Sequence, residues 1–201
     1  MPFFSQANFQ PKRKFRFTVS FTGMPGLEEL VFMAKTATKP SYTIESTSHK
    51  FLNHEFKFPN IVTWQDVTVT FIDATDPNIG SRFYDALLST GYLQPSTLDQ
   101  FRGGVTKVGA HAAIGPVVIR QLDGGGVIGQ AVDAGAGGGT VPTQVDPSVI
   151  DKWTLHNPWI TSLKFGDGLD YGSTELVTID LTLKYDFAVY ERNAGNMLSG
   201  L

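Results

Sequence analysis

The residues with the clearest potential for chemistry lie in Asp167-Gly168-Leu169-Asp170-Tyr171-Gly172, an acidic, glycine-rich loop that could offer carboxylates to a cation. A calcium loop needs oxygen ligands at alternate positions and a glutamate at the twelfth, and Leu169 stands where a ligand is required. Asp167 and Asp170 fit a turn better, because their short carboxylates accept local backbone N–H bonds. His49, His54, His111 and His156 are scattered, with no HExxH or HxH spacing. In an extended chain His49 and His54 fall on opposite faces. The stretch GGGVIGQAVDAGAGGG lacks the Lys-Ser end of a phosphate-binding loop, and no GxSxG occurs. The absence of cysteine removes thiolate zinc sites, cysteine nucleophiles and disulfides together. The expectation is therefore no catalytic residue, no metal site and no cofactor. Lys12-Arg13-Lys14 could touch phosphate, but so short a basic run more often enters a strand or donates an ion pair between subunits. Trp153, Trp159 and Tyr171 are the aromatic side chains a ligand-binding module would use, although packing is the commoner fate of such rings.

The elements that must position these residues are mostly strands. KFRFTVSF alternates with period two, placing Phe15, Phe17, Val19 and Phe21 on one face. A glycine-proline turn at 23–26 leads to ELVFMAKTAT, which Pro40 ends. SYTIEST and HKFLNHEFKF read as two extended segments of a projecting hairpin, with polar residues on both sides and a break at Pro59-Asn60. DVTVTFID alternates again, its Val67, Val69 and Phe71 opposed to Thr68 and Thr70. One helix is expected over 76–91, capped by Asp76, with Pro77 in its first turn, Gly91 at its exit and a stripe of Ile79, Phe83, Ala86 and Leu87. GPVVIRQLDG is a further strand. The glycine-crowded segment 123–150 has no periodicity and reads as a flexible insertion loop. DKWTLHNPWITSLKFG and ELVTIDLTLKYDFAVYE restore strand character. The sum is a mainly β chain, a β-sandwich or β-barrel with one flanking α-helix and a Gly-rich insertion.

The 201 residues suit a single domain spanning 1–201. Charged residues make up only 17% of the chain, a deficit that fits a surface meeting other protein, and the net charge of -3 does not mark a nucleic-acid binder. The N-terminus has no continuous apolar core of a secretory signal, and no window is long and apolar enough for a membrane helix. A soluble protein made in the cytoplasm, with no membrane insertion, is the expectation.

Taken in order, FTVSF, KTATKP, FPNIVTWQDVTVTFID and NPWITSLKFGDGLDYGSTELVTIDLTLKYDFAVYE resemble the tail tube proteins of contractile-tailed bacteriophages. They cover most of the chain outside 123–150. The tubes of type VI secretion and of phage-tail-like bacteriocins share that fold. The resemblance implies a structural virion protein, synthesised in a host bacterial cytoplasm, whose hexameric rings stack into a hollow tube inside a sheath. Its partners would be further copies of itself, the tail sheath, baseplate and tail terminator proteins, and double-stranded DNA in transient, non-specific passage during genome ejection.

Within that frame the two faces of the alternating strands acquire separate tasks. Ile179, Leu181, Leu183 and Tyr185 would be buried with Val67, Val69 and Phe71. Thr68, Thr70, Asp180, Thr182, Lys184 and Asp186 would face the lumen, giving a neutral to acidic wall that does not hold phosphate. The hairpin around 41–58, with Ser46, His49, Phe51, Asn53 and His54, is the candidate contact between rings. The rival reading is a monomeric β-sandwich carbohydrate-binding or adhesin module.

Overall fold

The computed structural model describes residues 11–24, 34–95, 104–123, 126–131, 140–145, 148–166 and 168–196. In chain order the elements are β1 (Phe17–Phe21), β2 (Ala34–Ala37), β3 (Tyr42–Phe51), β4 (His54–Trp64), β5 (Val67–Ile72), α1 (Ile79–Ser89), α2 (Lys107–Ile114) and β6 (Val117–Leu122). There follow β7 (Gly126–Ala131), β8 (Thr140–Val145), β9 (Ser148–His156), β10 (Trp159–Lys164), β11 (Thr178–Lys184) and β12 (Phe187–Asn196). Two four-stranded sheets run in the orders β1-β6-β9-β12 and β10-β11-β5-β2, and β3-β4 and β7-β8 form two-stranded hairpins. The mainly β expectation holds.

The chain forms two compact units. One draws on the stretches 1–18, 120–152 and 191–201, the other on 19–119 and 153–190. In the first, the Lys12 ammonium pairs with the buried Asp151 carboxylate, Lys152 pairs with Glu191 at 3.2 Å, and the Leu122 N–H donates to the Arg16 carbonyl at 3.0 Å. Lys12 is thus an ion-pair donor within its own chain. Where the sequence reads as a loop without regular structure, β7 and β8 pair antiparallel from Gly126 opposite Val145 to Ala131 opposite Thr140.

The second unit holds the sheet β10-β11-β5-β2 and both helices. Strict alternation in β5 and β11 buries Val67, Val69, Phe71, Ile179, Leu181 and Leu183 completely or nearly so. Phe71 meets Phe21 and Phe83 with ring centroids 6.0 and 5.6 Å apart, and Phe21 meets Phe83 edge-on at 5.8 Å. Three phenylalanines from β1, β5 and α1 therefore lock together at separations favourable for aromatic pairs.

The helix is shorter than expected and begins later. Its N-cap is Asn78, whose Oδ1 accepts the Ser81 N–H at 2.8 Å, in place of Asp76. Asparagine and aspartate serve equally well at this position, so composition alone does not choose between neighbours. Ile79, Phe83 and Ala86 are buried as the stripe requires, while Leu87 stays partly exposed. A second helix, α2, was not expected. Its cues are present: Thr106 Oγ1 accepts the Gly109 N–H at 3.1 Å, and Gly115 ends it at φ +61°. Eight residues with Gly109 inside are too few to show a helical period. Its end is set by β1, because the Gly23 N–H donates to the Ile114 carbonyl at 3.0 Å and the Thr22 N–H to the Pro116 carbonyl at 3.1 Å. The backbones of Gly23 and Gly115 approach so closely that neither position has room for a side chain.

Two strand boundaries also differ. The segment 175–191 reads as one strand, but β11 stops at Lys184 and β12 starts at Phe187, in the other sheet. Between them the Asp186 N–H donates to the His156 carbonyl at 3.1 Å. Pro59-Asn60 does not break the hairpin. It lies where the register shifts between the Ile44 and Ser46 pairings, and an irregularity in the ladder tolerates a residue without an N–H.

Candidate functional site

Among the described residues no three His, Cys, Asp or Glu side chains come together to hold a metal ion, and no helix is long and apolar enough to cross a membrane. Asp170 does what a turn former does: its Oδ1 accepts the Gly172 N–H at 2.9 Å and its carbonyl accepts the Ser173 N–H at 3.2 Å. Asp167 lies outside the described residues. Trp153 packs on Tyr190 with centroids 4.8 Å apart, His156 stacks on Phe187 at 4.6 Å, and Tyr171 stands apart, fully exposed. The three aromatic residues of the binding-module reading thus share no platform with one another in any contact the structure records.

Two surfaces stand out instead. The first is the outer face of β10-β11-β5-β2. Because residues directly opposite in an antiparallel ladder share a face, the registers generate two polar rows. Lys164, Asp180, Thr70 and Thr36 make one, and Ser162, Thr182 and Thr68 make the other. Thr70 Oγ1 donates to Asp180 Oδ1 at 2.7 Å, Thr161 Oγ1 donates to the Thr182 carbonyl at 3.1 Å, and the Thr68 N–H donates to Thr38 Oγ1 at 2.8 Å. This is a hydroxyl-rich surface on which Thr70 and Asp180 bond across adjacent strands.

Thr68, Thr70, Asp180, Thr182 and Lys184 all lie on this face, as their spacing requires. Asp186 does not join them, since β11 ends before it. Its carboxylate accepts from Lys107 Nζ at 2.8 Å and from Asn157 Nδ2 at 2.9 Å. These bonds, Lys107 first, hold its pKa below the usual carboxylate value. Asp186 therefore ties the first turn of α2 to the β9–β10 corner, where Asn157 itself sits at φ +52°. Sequence reasoning also missed Ser162, Lys164, Thr36 and Thr38. The bulge between Ile160 and Ser162 shifts the parity of β10, so simple alternation mis-sorts its faces. On this face Lys164 and Lys184 accompany Asp180.

The second surface is the hairpin β3-β4. Every residue of β3 is exposed, and in β4 only Trp64 is partly covered. At ten residues it extends about 33 Å. Its polar and apolar residues are sorted, contrary to their mixed look in the sequence. Beyond the bulge, one face pairs Thr47 with Phe58, His49 with Phe56 and Phe51 with His54; the other pairs Ser46 with Pro59, Ser48 with Lys57 and Lys50 with Glu55. Of the expected contact residues, His49, Phe51 and His54 share the aromatic face. Ser46 lies on the reverse, and Asn53 is in the two-residue turn after Leu52 (φ +53°). The assignment of His49 and His54 to opposite faces is corrected by that turn: the chain reverses between them, so an odd separation no longer means opposite sides. Phe56 and Phe58 complete a face that the chain leaves uncovered.

The hairpin is anchored by aromatic residues. Tyr42 meets Trp64 at 5.3 Å, and Trp64 meets Tyr185 at 5.9 Å. Tyr185 is half-buried there, and burial, followed by the nearby Asp66 charge, pushes its phenol up to about 12. The expected burial of Tyr185 against helix and sheet is thus replaced by a place at the hairpin root.

No family model and no curated protein matches the sequence. The fold does have relatives among solved structures. A chain of the anti-feeding prophage (AFP) baseplate, in a structure six-fold symmetrised, aligns with TM-score 0.57 at 16% identity over 92% of this chain and 99% of that one. A chain of the PVC extracellular contractile injection system, from its sheath/tube terminator in the extended state, gives the same values. One from the PVC sheath-tube complex gives 0.53 at 16% over 90% and 92%. This chain shares the fold of these baseplate, terminator and sheath-tube chains, in agreement with the tail-tube resemblance of its motifs.

Proposed function

We propose that this protein is a structural subunit of the inner tube of a contractile particle, in which six copies close into a ring and rings stack coaxially. The observation that carries the reading is the four-stranded sheet with one fully apolar and one hydroxyl-rich face, whose edge strands β10 and β2 have no outer neighbour among the described residues. In a lone domain such a polar face meets water, and it is the edge strands that invite pairing with other chains. Six such sheets joined edge to edge bring about 24 strands, about 4.8 Å apart and tilted about 40°, into a barrel roughly 45–50 Å across at the backbone. The rows of Thr, Ser, Asp180, Lys164 and Lys184 then line the bore.

That lining suits a conduit. Each phosphate bound by a cation adds affinity through counterion release, and here one carboxylate and several hydroxyls accompany the two lysines. Double-stranded DNA, the cargo expected from the sequence, would pass without being held. The uncovered aromatic face of β3-β4 serves contact between rings. The particle's sheath, baseplate and terminator are the remaining partners, and no catalytic step is assigned to the chain.

Negative-stain microscopy of the purified protein tests this directly. Rings or hollow tubes of uniform bore are expected. A stable monomer at all concentrations, melting at a higher temperature with an oligosaccharide, would instead establish the binding-module reading with Trp153, Trp159 and Tyr171.

A further inference from the structure

We infer that His49 and His54 form a cross-strand pair of imidazole ligands for a divalent transition-metal ion of the zinc, nickel and copper class, and that the bound ion fastens the tip of the β3-β4 hairpin. The inference stands on the geometry of one subunit and is independent of the tube reading.

The register puts the two histidines together. His49 stands opposite Phe56, and Phe51 stands opposite His54. Steps of two along a strand keep to one face. His49, Phe51, His54 and Phe56 therefore mark the corners of a quadrilateral, with the imidazoles on one diagonal and the phenyl rings on the other. Diagonal neighbours on one face lie about 7 Å apart, a gap that side chains of this length bridge. An ion held at about 2.1 Å from a nitrogen of each ring can be shared between them. Both histidines are exposed, so an ion and its water reach them.

Charge and ligand chemistry select the class of ion. Imidazole suits zinc, copper and nickel, whereas magnesium and calcium want oxygen donors. Between the bulge and the turn, the charged side chains pair on the reverse face, where Lys50 stands opposite Glu55 and Lys57 opposite Ser48. The face with the histidines thus carries neither a lysine to repel a cation nor a carboxylate to favour a hard one. Two protein ligands leave coordination positions for water, which suits a site at the surface.

The pair lies where a clip has most effect. Leu52 in the turn sits at φ +53°, a left-handed conformation that a branched side chain adopts only at a cost. The aromatic anchors Tyr42 and Trp64 are at the opposite end of the ladder. An ion that binds only when the strands are paired favours that pairing by mass action, about tenfold at an ion concentration ten times Kd.

Titration of untagged full-length protein, taken as unassembled subunits, with Cu²⁺, Ni²⁺ and Zn²⁺ tests the inference by calorimetry and by hydrogen exchange over residues 47–58. One ion per subunit is expected, Cu²⁺ binding tightest and Mg²⁺ giving no heat, with exchange at the tip slowed about tenfold at ten times Kd. His49→Gln and His54→Gln should each weaken binding about tenfold or more. Phe56→His, which sets a third imidazole opposite His49 and on the face of His54, should tighten it by a similar factor, whereas Lys57→His on the reverse face should not. All four positions are exposed, and circular dichroism checks that each variant keeps the parent fold. Undiminished binding in His49→Gln/His54→Gln would overturn the inference by placing the ion elsewhere. Two ions per subunit, one lost with each single variant, would show separate imidazoles and defeat the pair. Loss of the ion in Glu55→Gln would replace the pair with a His54–Glu55 site. Binding without slower exchange at the tip would refute the fastening.

Discussion

β5 and β3 are both strands rich in β-branched or aromatic residues, yet the structure treats them oppositely. In β5 every second residue is sealed beneath the helices and the facing strands, whereas in β3 nothing is covered. The same local chemistry makes both extended. What differs is whether the chain itself supplies a cover. Two-stranded hairpins are marginal alone, and β3-β4 is held at its root by Tyr42, Trp64 and Tyr185 and along its length by its own ladder. The sheet has its apolar face covered by its own chain, and the hairpin does not.

That contrast can be broken at graded cost. Phe71→Ala, which empties the middle of the phenylalanine cluster, should destabilise the monomer by roughly 3–5 kcal/mol in urea unfolding. A change below 1 kcal/mol would show that the cluster is not the core. Gly115→Ala should follow at about 1–3 kcal/mol, since both the positive φ and the Gly23 backbone oppose a methyl group. Asp180→Ala removes the acceptor of the Thr70 hydroxyl at a half-buried position and should cost about 1 kcal/mol.

Asp186→Asn probes a smaller, pH-dependent effect. Lys107 and Asn157 lower the carboxyl pKa in the folded state, so its stabilising share is present above the ordinary value of 3.8 and disappears as pH falls through the folded value. The variant should therefore be less stable than the parent at pH 7 and equal to it near pH 2, with a smaller slope of melting temperature between them. At the far end, Phe56→Ser with Phe58→Ser, or deletion of residues 46–54, should leave monomer unfolding within about 0.5 kcal/mol while halting tube growth. Continued polymerisation after either change would dissociate the hairpin from assembly.

Legibility in the sequence followed the range of the interactions. Ile179, Leu181 and Leu183 could be assigned to the core because alternation is a property of consecutive residues and survives any environment that covers one face. The helix stripe of Ile79, Phe83 and Ala86 was legible for the same reason. Lys164 and Ser162 escaped because a bulge between Ile160 and Ser162 resets parity. Phe56 and Phe58 were visible as aromatic residues but not as a shared face with His49 and His54, since that needs the turn at Leu52-Asn53. Asp186 was misassigned because nothing local marks the corner at which β11 gives way to β12.

The sequence by itself determined that the chain is mainly β, which residues alternate, that it has no cysteine chemistry, and which ordered motifs resemble contractile-tail tubes. Only the tertiary structure decided which strands share a sheet, which of the described strands stand at its two edges, that Asp186 serves α2, and that the hairpin has an aromatic side. Alternation arises from backbone geometry between neighbours. Edges and faces depend on hydrogen bonds and packing between residues such as Thr70 and Asp180, more than a hundred positions apart.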